Sequence, residues 1–164
     1  MKKFNSVNET DKFIYKDCVI VSREKSESGI ILTVEALIVK PDNSQNSNYT
    51  KSYAGTAEIV FENGAEISGV KDGYRKYDAN DKIVEEVDDT VLDDLTLESI
   101  LKSMKDMYLE GIEKIEGKDN EYVIFIEKPS EYEYDTSPCD SYQIKITCDK
   151  ITVSWDKYLN RVED

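Results

Sequence analysis

The 164-residue chain sets 35 acidic against 21 basic side chains, for a formal charge of −14, and contains no histidine. That absence removes Ser-His-Asp and Cys-His nucleophile activation, the usual proton shuttle near neutral pH and every histidine-containing zinc site. With 39% apolar residues and eleven Tyr, four Phe and one Trp, the chain still has enough core formers to be read as one globular domain over residues 1–164.

The opening MKKFNSVNETDKF has two lysines with no apolar run behind them, and no later stretch approaches the roughly 20 apolar residues of a membrane span. A cytoplasmic protein without leader or membrane segment is therefore expected. Cys18, Cys139 and Cys148 are odd in number and show no CxxC spacing, as for reduced thiols; had a leader been removed, Cys139 with Cys148 would be the pair to bridge.

Residues 13–22 (FIYKDCVIVS) and 29–40 (GIILTVEALIVK) are rich in β-branched and aromatic residues and flank the polar tract REKSES, which predicts a long hairpin. Residues 41–52 (PDNSQNSNYTKS) read as an exposed, mobile loop. A strand over 53–61 then turns at Asn63-Gly64 into 65–70. Short strands at 74–77 and 82–87 flank a turn at 79–81, and the spacing Tyr74-x-x-Tyr77-Asp78-x-Asn80-x-Lys82 is similar to a single tyrosine-aspartate hairpin of bacterial repeat proteins, present here in one copy.

A helix is predicted over about 96–108. Thr96 is placed to cap it, Leu95 and Ile100 to staple its start, and Leu97, Ile100, Leu101, Met104 and Tyr108 form one apolar stripe facing the sheet. Strands follow at 109–116 and 121–127 around a GKDN turn. In residues 142–148 the alternation of Tyr142, Ile144, Ile146 and Cys148 with polar neighbours is strict, and a turn at Asp149-Lys150 leads to a last strand at 151–155. The tail DKYLNRVED is read as one further helical turn. The expected fold is α+β: two antiparallel β-meanders of about nine or ten strands (13–87 and 109–155) with one amphipathic helix packed on the sheet.

Residues 1–60 hold eight acids and eight bases, so the entire negative excess lies beyond residue 60. This distribution excludes nucleic acid and anionic membrane as ligands and favours a basic protein. No GxGxxG or GxxxxGK[ST] loop is present, so no nucleotide site or other cofactor site is expected. The sequence from Asp78 opens like a calcium loop but has Lys82 at the fifth position, no glycine at the sixth and Asp89 at the twelfth, which fails the pattern. No metal site is assigned. Glu85 with Asp88, or Asp93 with Glu98, are the pairs a carboxylate- or metal-dependent enzyme would use. Cys139 has no base beside it to lower its pKa, and no catalytic residue is assigned.

Two segments remain as candidate partner-binding surface. One comprises Glu85, Glu86, Asp88, Asp89, Asp93, Asp94 and Glu98, a run with no intervening base whose carboxylates lie within about one Debye length of one another. The other is Glu131, Tyr132, Glu133, Tyr134 and Asp135, where tyrosines among acids suit recognition. In general character, a small acidic α+β chain without catalytic motifs resembles bacterial immunity proteins that neutralise toxins and acidic nucleic-acid mimics. The sequence thus reads as a non-enzymatic module of the immunity or inhibitor type; the alternatives are a carboxylate- or metal-dependent enzyme and a structural subunit of a homo-oligomer.

Overall fold

Apolar–polar alternation turns most of this chain into strand, and the turns between strands decide which flank of the molecule each one joins. The computed structural model describes residues 2–129 and 139–161. In chain order the strands are β1 (Phe4–Val7), β2 (Phe13–Ile14), β3 (Val19–Ser26), β4 (Gly29–Glu35), β5 (Ile38–Val39), β6 (Ser52–Ala54), β7 (Ala57–Glu62), β8 (Ala65–Lys71), β9 (Tyr74–Tyr77), β10 (Ile83–Val87) and β11 (Thr90–Val91). The helix α1 (Asp94–Lys102) is followed by β12 (Tyr108–Lys114), β13 (Glu121–Lys128), β14 (Asp140–Thr147), β15 (Lys150–Trp155) and β16 (Tyr158–Arg161).

Ten strands form one antiparallel sheet in the order β1-β15-β7-β4-β3-β12-β13-β14-β8-β11; β16-β6-β5-β2 form a second, and β9 with β10 a two-stranded ribbon. The molecule is sheet-dominated, and the expected pair of separate meanders is replaced by an interleaved order. β15, from the C-terminal end, sits between β1 and β7, and β8 pairs with β14. The turns expected at Asn63-Gly64 and before Ile151 are present, but neither makes a hairpin, since β7 does not pair with β8 nor β14 with β15.

These two turns fix the shape of the sheet. In a flat sheet β7 and β8, or β14 and β15, would lie six places and roughly 29 Å apart. Each connection has only two residues between strands, 63–64 and 148–149, and reaches about 11 Å. The sheet must therefore roll until its flanks face each other. Asp149 N–H donates to the Glu62 carbonyl at 2.9 Å where the two turns meet. Between the layers lies one apolar cluster in which Trp155, Phe61, Ile59, Ile20, Ile124 and Ile144 are fully buried. The Arg23 guanidinium of β3 also crosses to the Glu66 carboxylate of β8, with both side chains largely buried.

The two long N-terminal runs bend partway. Asp17 and Ala36 take left-handed φ values of 61° and 64°, so β2 and β5 leave the large sheet and pair with each other in the small one. The predicted hairpin is present as β3–β4, but Arg23–Ser26 belong to the strand and the turn is only Glu27-Ser28. The 41–51 loop is also more structured than its composition suggests. Asn46 is buried and donates to the carbonyls of Val39, Lys40 and Thr50, while buried Asn43 donates to Ser6 Oγ. The C-terminal tail, expected as a helical turn, is β16, and β1 is a strand the sequence reading did not place.

The helix starts earlier and ends much sooner than predicted. Asp93 caps it by accepting from the Thr96 amide at 2.8 Å, and a carboxylate at the positive end of the dipole outcompetes Thr96 for that position. Ser103 Oγ folds back onto the Ser99 and Ile100 carbonyls, and Asp106 turns the chain at φ 71°, which puts Tyr108 in β12. Leu95 is 80% exposed, so it staples nothing. Leu97 and Ile100 are buried against β8, where Gly69 makes room: a Cβ there would lie 2.9 Å from Leu92 Cδ1 and 3.0 Å from Leu97 Cδ1. Among the described residues no helix is long and apolar enough to cross a membrane.

Candidate functional site

β8 and β11 are the last two strands of the large sheet, and the 18 residues between them do not continue it. Instead β9 and β10 project from that edge as an arm. At its base the Asp72 amide donates to the Ser141 carbonyl (2.8 Å) and the Gly73 amide to Asp89 Oδ1 (2.7 Å). Gly73 is required by close approach, since a Cβ would sit 2.0 Å from the Val87 carbonyl oxygen. At the tip Asp78 Oδ1 accepts from the Asn80 and Lys82 amides, and Asp81 adopts φ 61°. The failed calcium-loop pattern is thus a hydrogen-bonded turn.

Cross-strand register sorts the arm into two faces. Lys76 lies opposite Glu85 and Tyr74 opposite Val87 on one; Arg75 lies opposite Glu86 and Tyr77 opposite Ile83 on the other. Each face carries one ion pair and one aromatic–aliphatic pair, so neither supplies a continuous apolar stripe that a core could bury. Every residue of β10 is exposed. Tyr77, Ile83, Val84 and Val87 are between 40% and 63% exposed, and Val91 and Leu95 beside the arm's base are 77% and 80% exposed.

The acidic run is less uncompensated than its sequence suggests. Glu85 takes the Tyr74 hydroxyl at 2.8 Å and Lys76 at 3.3 Å; Glu86 takes Arg75 Nε at 3.1 Å; Glu98 takes Lys102 at 2.9 Å. The bases come from β9 and from the next helical turn, outside the run. Hydrogen bonding to Tyr74, then to Lys76, holds the Glu85 carboxyl below the usual range, and Lys102 does the same for Glu98. A general acid near neutral pH needs the opposite shift. Asp89 and Asp93 are committed to backbone amides, and the Thr96 contacts hold Asp93 low. Asp88 and Asp94 have no hydrogen-bond or ion-pair partner among the described residues. Glu131, Tyr132, Glu133, Tyr134 and Asp135 lie outside the described residues.

From sequence, 82–87 reads as a short strand with only its carboxylates named as partner-binding residues, which leaves out the exposed apolar side chains of the arm. The structural register reveals them: charged residues occupy both faces of the ribbon, which leaves no side to bury. Among the described residues no three acidic or cysteine side chains converge as a metal ion would require. Cys18 and Cys148 are buried, and burial pushes their thiols up to about 12 and about 11; Cys139 is exposed. A concavity of about 930 Å³ lies between the 3-10 turn Thr10–Lys12 and β12. Comparison with protein-family models, with curated proteins and with solved structures found no match for this chain.

Proposed function

We propose that this protein is a non-enzymatic binding module of the immunity or inhibitor type. It engages a basic protein partner through the β9–β10 arm and the adjoining ridge from Asp88 to Glu98. The observation that carries this reading is a two-stranded ribbon that leaves the sheet and exposes apolar side chains on both faces among acids. Such ribbons gain little stability on their own, and exposed apolar groups rimmed by charge are what interaction surfaces present. From Lys71 to Asp94 the chain has nine acids and four bases, so the field selects a cationic partner and opposes a second copy of the same arm.

Affinity capture with the whole chain as bait, from cells that encode it, tests the reading. A basic protein should be recovered directly, with binding weakened at about 0.5 M salt. The double variant Asp88→Lys/Asp94→Lys should lower affinity by roughly tenfold or more, because these two carboxylates serve no internal contact among the described residues. Val84→Asp on the arm should weaken binding independently of the acid ridge. Binding indifferent to salt and to all three substitutions overturns the proposal.

A further inference from the structure

At the end of the strands opposite the arm, the 930 Å³ cleft is of the size that takes small ligands. The arm's base is tied to Ser141 at the start of β14, whereas Tyr122, which lines the cleft, pairs in register with Ile146 near the end of that strand. One wall is the open side of β12. Ile115 N–H donates to the Glu121 carbonyl, so by alternation Ile112 and Lys114 turn their backbone N–H and C=O away from β13. On that side β12 pairs with β3 at Tyr108 alone, and its remaining length has no strand partner among the described residues.

Tyr122 supplies the second observation. It is only 7% exposed, yet its hydroxyl has no hydrogen-bond partner among the described residues, and what remains accessible of it lines the cleft. The hydroxyl oxygen itself stays solvent-accessible, so it opens into the cleft, where a bound N–H donor can take the place of water. Asp11, Glu110, Glu113, Asp119 and Asp149 share the lining with two bases, Lys40 and Lys114, and Lys40 is already committed to the Asp11 carbonyl at 2.9 Å. Carboxylates around a concavity with low-dielectric walls focus a negative field into it.

We propose that this cleft binds a small organic cation with amine or guanidinium N–H groups, which donate to the Tyr122 hydroxyl, the rim carboxylates and the outward carbonyls of β12. The site is separate from the arm and does not depend on the protein-binding reading. Titration of the isotope-labelled full chain with spermidine at about 0.15 M salt, followed by amide NMR, tests it. Shifts should concentrate at residues 10–15, 110–122 and 149. Tyr122→Phe should weaken binding roughly tenfold, the value of a hydrogen bond to a charged group, while Asp88→Asn/Asp94→Asn leaves it unchanged. Shifts spread over all acidic segments or centred on the arm, or equal affinity in a folded Tyr122→Phe protein, overturn the proposal. If Tyr122→Phe does not fold, Glu113→Gln/Asp119→Asn makes the same discrimination.

Discussion

Cys18 sits at the point where β2 leaves β3, fully buried, and its thiol is pushed up to about 12 by burial first and by Glu110 second. In the unfolded chain the same thiol ionises near its ordinary value of 9.0. A raised folded-state pKa means that its contribution to stability is intact below pH 9.0 and declines as pH rises toward 12. Melting temperature should therefore fall across that window, and Cys18→Ala should flatten the dependence; an unchanged alkaline slope in the variant contradicts the assignment. Asp93 has the opposite sign. Its carboxyl is held low by the Thr96 contacts, so its capping contribution is present at neutral pH and is lost as pH falls through the depressed folded-state pKa. Asp93→Ala should lower the melting temperature by a few degrees at pH 7 and by less in acid, measured by circular dichroism. This is why charge reversal in the binding test uses Asp88 and Asp94 and leaves Asp93 alone.

The arm is a distinct case from the other elements, because it departs from β8 and returns through β11 to the same edge, with Gly73 bonded to Asp89 at its base. Replacing residues 74–87 by a short Gly-Ser link should leave the β8–β11 pairing intact and move the melting temperature by no more than a few degrees, while abolishing partner binding. Global unfolding of the deletion would make the arm a structural part of the sheet. The sequence announced the ribbon itself: its strand limits and tip turn follow from Tyr74, Tyr77 and the Asp78 side-chain bonds. Its exposure was hidden, because IVEEV has a strand's composition and only the bulge between Ile83 and Glu85 and the partners on β9 show which side chains share a face. The helix was legible in kind and misjudged in length, since Met104 continues the apolar spacing although Ser103 and Asp106 have already ended the turn.

At the scale of the whole molecule, alternation told which residues face the core, as for Tyr142, Ile144 and Ile146, but could not tell which strands lie side by side. Two-residue turns at 63–64 and 148–149 look like hairpins in sequence and here join opposite flanks of a rolled sheet. β1 and β16 escaped because FNSV and YLNR carry no usable pattern of their own. The roll also brings Arg23 to Glu66, and this buried pair tests it. Glu66→Ala should cost about 3–5 kcal/mol by leaving a guanidinium uncompensated, and Arg23→Met/Glu66→Leu should recover most of that loss. Chemical denaturation of the single and double variants measures both; equal stability of the single variant and the parent would mean the two layers are not clamped there. The position of β1 has a further consequence. Its register partner is β15, with Ser154 bonded to Asn5 across 149 positions of sequence, so a chain emerging from the ribosome carries β1 unmatched until β15 has been synthesised. Closure of this edge then waits on β15, and a product terminated before it retains an open β1 edge for chaperones or proteases to recognise.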